Sequence, residues 1–315
     1  MIRGQRSFVE ALASTKLGRN ERLERVAAQV KWYRFEKLLR KLEPGGAGRP
    51  PFAPLLMFKA LLLQQWYALS DAQLEEALND RVSFRRFLGL GLEADAPDHT
   101  TLCRFRNRLV EAELNERLFA EFDQQITDRG LALKQGTMID ATLVEAACGR
   151  PPRGQSALDP DAAFAKRAGK PGSTLGYKAH VGVDQGTLLI RSAILTAANV
   201  NETEVADRLI RGDEGAVYGD KAYGSKARRA WLKAAGIKDR IMYRANKHHP
   251  VLPRHLRRRN ASIAPVRASV ETVFAVLKRH MQFARARYIG MTKNAAHLFM
   301  LAIAYNMRRV AALAL

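Results

Sequence analysis

The 315 residues carry 52 Lys and Arg against 31 Asp and Glu, a net charge of +21, with an apolar share of 47%. That apolar share suits a folded protein with a sizeable core, and the excess of positive charge points to a polyanionic partner such as nucleic acid. Two cysteines, Cys103 and Cys148, cannot build a disulfide framework or a Cys-x-x-Cys zinc site, and no run of 18 apolar residues appears, which argues against a disulfide-rich secreted module and a membrane span. The expectation is a soluble, cytoplasmic protein with no membrane partner.

Residues 7–42 read as one or two helices, with Leu23, Val26, Val30, Tyr33 and Leu38 near helical spacing. Pro44 to Pro51, rich in Gly and Pro, marks a linker. Residues 53–112 read as all-helical. Ser70-Asp71-Ala72-Gln73 is a capping-box pattern, and Asp98 caps a helix that places Arg104 and Arg108 on one face, four residues apart. Such a basic helix suits a DNA surface or, equally, a surface helix whose arginines are simply solvated.

From Gly136 the pattern changes to strands alternating with helices, so the chain divides into an N-terminal helical arm and linker (1–49), a helical domain suited to DNA (50–130) and an α/β domain (131–315). Gly136 to Val144 reads as a buried strand carrying one carboxylate, Asp140, which is costly to bury unless something compensates it. Cys148 to Ser173 reads as an irregular, mobile loop. Gly176 to Val183 and Leu188 to Leu195 read as a hairpin, in which Asp184 is a turn residue and His180 a satisfied sheet histidine rather than a metal ligand. A helix over 201–210, a strand over 216–220 ending in Asp220, a helix over 225–235 and a strand over 237–243 follow.

Arg240 to Val270 holds no Asp or Glu, while Arg244, Lys247, Arg254, Arg257, Arg258 and Arg259 crowd its length. A like-charged block of this kind repels itself until an anion neutralises it, so it reads as a disordered segment that a phosphate backbone would order, with a merely solvated basic loop as the other reading. Two helices, from Arg267 to about Gln282 and from Thr292 to about Arg309, close the chain.

That order of elements matches a ribonuclease-H-like domain, a five-stranded mixed sheet with flanking helices, preceded here by an all-α N-terminal domain. In that topology the first and fourth strands are neighbours, which brings Asp140 and Asp220 together, and a C-terminal helix presents Glu271 at the same edge. Three carboxylates so gathered repel by up to ~4 kcal/mol per pair at about 4 Å and an effective dielectric near 20. Raised pKa values or divalent cations answer that repulsion, and oxygen-only ligands favour two Mg²⁺, with Mn²⁺ able to substitute. Two such ions serve phosphodiester cleavage or strand transfer.

Around Glu271 the spacing Arg267, three residues, Glu271, six residues, Lys278 resembles the Y-(two)-R-(three)-E-(six)-K signature of bacterial insertion-sequence DDE transposases. Ile139-Asp140-Ala141-Thr142 and Tyr218-Gly219-Asp220-Lys221-Ala222-Tyr223 resemble that family's segments bearing its two aspartates. Residues 50–112, and Arg285 to Leu298, are similar to the insertion sequence family five branch. The signature's Tyr position holds Ala264 instead.

The resemblance implies a transposase that cuts double-stranded DNA at an element's terminal repeats and joins the ends to target DNA. It implies Asp140, Asp220 and Glu271 as catalytic metal ligands, Arg267 and Lys278 as DNA contacts, a homodimer or larger assembly, and a bacterial, nucleoid-associated location. A non-catalytic DNA binder, including a decayed transposase, and a stand-alone nuclease remain the other readings.

Overall fold

In the computed structural model, residues 17–43, 52–152, 155–166, 172–245 and 250–314 are described. Lys247 and the Pro44–Pro51 linker lie outside the described residues. The chain forms two compact units, one of Met1–Gln125 with Met307–Leu315, the other of Ile126–Asn306.

The first unit is helical. It contains α1 (Glu21–Gln29), α2 (Trp32–Leu39), α3 (Pro54–Tyr67), α4 (Asp71–Asp80), α5 (Val82–Leu88), α6 (His99–Glu111) and most of α7 (Leu114–Asp128). Local signals set the helix starts. Asn20 caps α1 through Leu23 N–H, and Ser70 and Gln73 complete the reciprocal capping box of α4. Asp98 accepts from Thr101 N–H at the start of α6. Inside, Phe35 packs against Phe58 and Phe122 with ring centroids 5.1 and 6.3 Å apart.

The second unit is built on a mixed sheet of β1 (Thr137–Glu145), β2 (Ala163–Ala165), β3 (Thr174–Asp184), β4 (Ile190–Ala197), β5 (Ala216–Gly219) and β6 (Lys238–Ile241). Its main strands lie in the order β4-β3-β1-β5-β6. β3 runs antiparallel to β1 and β4, whereas β1, β5 and β6 are parallel. This is the ribonuclease-H-like order expected from the sequence. Helices α8 (Glu202–Leu209) and α9 (Lys226–Ala234) cover one face, where Ile139, Ala206, Leu209, Val217, Leu232 and Ile241 form a shared core. Helices α10 (Arg254–Ala268) and α11 (Val270–Ala275) lie against β5 and β1, followed by a π-helical turn and α12 (Met291–Leu313), whose residues from Met307 onward belong to the first unit.

Three expectations need correction. The sheet has a sixth strand, β2, inside the segment read as a mobile loop. Asp159 anchors that segment, since its buried carboxylate accepts from Tyr177 Oη at 2.7 Å and from Gly290 N–H at 3.3 Å. Second, the described part of the basic block is largely ordered without an anion, because α10 begins at Arg254 and runs through Pro265. Its anchors are internal. Asn260 clasps the backbone of Tyr243 from both sides, and Arg259 donates to the carbonyls of Ile241 and Asp239 at 2.7 and 2.6 Å. Third, the helix bearing Glu271 is not one rod starting at Arg267, since it divides at Ser269 between α10 and α11.

Among the described residues, no helix is long and apolar enough to cross a membrane.

Candidate active site

The parallel pairing of β1 with β5 sets Met138 opposite Tyr218. Asp140 and Asp220 each follow two residues later, so the same register brings Asp140, inside β1, level with Asp220, which directly follows the last residue of β5. Alternation along β1 puts Asp140 on the face opposite Ile139, away from the core beneath α8 and α9. Ser269, between α10 and α11, meets Met138 on that face, with Oγ 3.0 Å from Sδ. Glu271 follows in the first turn of α11.

Arg267 joins two of the three acids. Its Nη1 is 2.9 Å from Asp140 Oδ2 and its Nη2 3.5 Å from Glu271 Oε1. The Asp140 side chain is 17% exposed and that of Glu271 67%, so the first is held in a pocket while the second stands in solvent. Asp140 Oδ1 also accepts from Ala141 N–H at 2.9 Å. Burial nevertheless pushes the Asp140 carboxyl up to about 6, against the pull of Arg267 and Ala141 N–H and with added repulsion from Asp220 and Glu271. Asp220 caps the following turn by accepting from Ala222 N–H at 2.7 Å.

Among the described residues, no three carboxylate, His or Cys side chains stand close enough to hold one metal ion. The chemistry of the donor set still fits a hard divalent cation. All three donors are carboxylates, and burial of Asp140, with smaller repulsion from Asp220 and Glu271, makes its charge costly in a way that added positive charge would offset. The basic signature residues look inward in this state. Lys278 Nζ donates to the Leu143 carbonyl at 2.7 Å, and Arg267 is spent on the acids.

The other predicted contacts divide in the same way. Arg244, Arg254, Arg257 and Arg258 are exposed, whereas Arg259 is half-buried and tied to β6. Arg104 lines an open cleft of about 860 Å³ with Phe52, Asn79 and Asp98, while Arg108 donates to the Leu42 carbonyl. His180 is fully buried, its Nε2 2.9 Å from Thr196 Oγ1, and burial holds it down to about 4, so it is neutral near pH 7. Asp184 serves its turn, accepting from Leu133 N–H, Lys134 N–H and Thr187 Oγ1.

Sequence reasoning missed Tyr223, which sits in the quoted Asp220 segment. Its hydroxyl is buried without a hydrogen-bond partner among the described residues, and burial, then the charges of Asp140, Glu202 and Asp220, drive its ionisation far upward. It stays a neutral donor beside the acids. Gly219 makes room for it, because a Cβ there would sit 3.3 Å from Tyr223 Cβ and 3.2 Å from Ile139 Cγ1.

A family model for a transposase domain matches residues 12–108, and a model for a transposase DDE domain matches residues 132–307. Among solved structures, the chain is similar to that of the piggyBac transposase synaptic complex with hairpin DNA, with 11% identity, 91% of this chain and 72% of that one covered, and a TM-score of 0.46. It is also similar to a chain of the Mos1 strand transfer complex, with 14% identity, 88% and 82% covered, and a TM-score of 0.20.

Proposed function

The chain belongs to the DDE transposase family, and from that premise we propose that Asp140, Asp220 and Glu271 form the site at which it cuts DNA ends and transfers them to target DNA. The observation that carries this reading is the β1–β5 register, which aligns Asp140 with Asp220 beside the helix bearing Glu271. Asp140, Asp220 and Glu271 would hold a divalent cation pair, Mg²⁺ or Mn²⁺, which would supply Lewis-acid stabilisation of an in-line displacement at phosphorus.

The chain's own residues do the rest. Arg267 offsets the charge of Asp140 and Glu271 and keeps them at one edge of the sheet. Exposed Arg254, Arg257 and Arg258 lie in the first turns of α10, whose N–H groups there lack a side-chain cap. A helix start of that kind, loaded with arginine, favours a phosphate. Concerted work on two ends calls for a dimer or larger assembly on double-stranded DNA.

Cleavage of a labelled duplex carrying the element's ends tests the reading, with Asp140→Ala, Asp220→Ala and Glu271→Ala compared at equal DNA occupancy. Each variant is expected to lose more than the roughly 10- to 100-fold that outer-shell partners of a metal contribute. Cleavage that persists in any one variant removes that residue from the site. A wild type that binds the ends but never cuts them favours the binding-only alternative.

A further inference from the structure

Helices α1 and α12 meet within the first unit around a concavity of about 250 Å³, lined by Arg22, Arg25 and Val26 of α1 and Arg308, Ala311 and Ala312 of α12. Three arginines line it, and among the described residues none of them has a carboxylate partner. Arg25 alone makes a weak contact, 3.4 Å from Nε to its own helix's Glu21 carbonyl. The neighbouring arginines differ. Arg19 and Arg86 both reach Glu24, at 3.3 and 3.7 Å, and Arg34 reaches Glu121 at 2.6 Å.

The floor is apolar, since Val26 and Ala311 are 1% and 9% exposed. Like charges over such a floor repel one another more strongly than they would in open water. The strain shows at half-buried Arg308, whose guanidinium is pushed down from the usual arginine range by burial and then by Arg22. An anion relieves it. Planar N–H forks suit phosphate oxygens, and the cavity exceeds the ~30 Å³ a single water takes up.

We propose that Arg22, Arg25 and Arg308 form a phosphate-binding seat, separate from the carboxylate site, that takes a phosphodiester of bound DNA. This rests on the transposase reading for its ligand's source, while the chemistry of the seat stands without it.

Two arms test it on the full-length chain. In the first, duplex affinity is measured over a range of salt concentration for wild type, Arg308→Gln, the double variant Arg22→Gln/Arg25→Gln, and the charge-matched control Arg19→Gln/Arg86→Gln. Losing one phosphate contact lowers the slope of log affinity against log salt by about 0.9, expected in both seat variants and absent in the control. In the second, inorganic phosphate is titrated against chloride at matched ionic strength and the shift in Tm is read. Phosphate stabilisation that is lost in the seat variants while their DNA slope is unchanged supports the seat but assigns it to a free phosphate.

An equal slope change in seat variants and control, with no phosphate-dependent Tm shift, overturns the proposal. Arg22 and Arg25 are exposed, so their variant remains informative if Arg308→Gln perturbs folding. A wild type that fails to bind DNA at all counts against the transposase reading, and the phosphate arm still decides the seat.

Discussion

At Asp140, burial and the two neighbouring acids act in one direction, and only Arg267 and a single backbone N–H oppose them. A carboxyl raised from 3.8 to about 6 takes up a proton in the folded chain before it does so unfolded. Stability contributed by that proton is therefore full below about 4 and is lost as pH rises through about 6. At roughly 1.4 kcal/mol per pH unit the loss is capped at about 3 kcal/mol. Urea unfolding in chelator, from pH 4 to 7.5, is expected to show the stability of Asp140→Asn gaining on wild type up to about pH 6 and then holding level. A constant difference across that range removes Asp140 as a strained carboxylate. Burial is the main cause of the raised pKa and was legible in the apolar run around Asp140, whereas the smaller contributions of Asp220 and Glu271 depend on groups arriving from distant parts of the chain.

Among the elements, the strand-bearing loop between β1 and β3 departs furthest from its sequence reading. Gly and Pro made it look irregular, yet the buried Tyr177–Asp159 hydrogen bond fastens it to β3. Tyr177→Phe leaves Asp159 short of a buried donor, and the expected cost is about 1–3 kcal/mol in denaturant unfolding. A change within error would make that bond dispensable. Gly176, where β3 pairs with both β1 and β2, has a different constraint. A Cβ there would strike the Val144 carbonyl oxygen, so Gly176→Ala should shift the strand pairing and destabilise by about 2–4 kcal/mol. Gly149→Ala, which meets nothing within 4 Å, is the matched control. Equal stability of the two variants would contradict the packing. The α10 segment shows the same lesson with charge, since absence of acid within it hid the anchoring of Arg259 on Asp239, just outside it.

For the whole molecule, a net charge of +21 makes DNA binding steep in salt, but not every arginine contributes. Arg257 and Arg258 are exposed on α10, whereas Arg259 is committed to two backbone carbonyls. Arg257→Gln and Arg258→Gln are each expected to weaken binding to any duplex and reduce the salt slope by about 1. Arg259→Gln is expected to lower Tm with little change in slope. Salt titrations paired with thermal melts check both, and a slope change for Arg259 equal to those of its neighbours would place it on the DNA.

The sequence alone determined the order of elements, the helical first part, the alternation of strands and helices after Gly136, and the segments bearing Asp140, Asp220 and Glu271. These were legible because apolar periodicity, caps and motif spacing are local properties of the chain. Only the tertiary structure decided that β2 joins the sheet, that α10 holds its form through Arg259, Asn260 and Tyr243, and that Tyr223 sits without a partner beside the acids. It also decided which basic residues face solvent and which are consumed internally. Each depends on a partner far away in the chain, and the pairing energy of such contacts leaves no periodic trace in either partner's own neighbourhood.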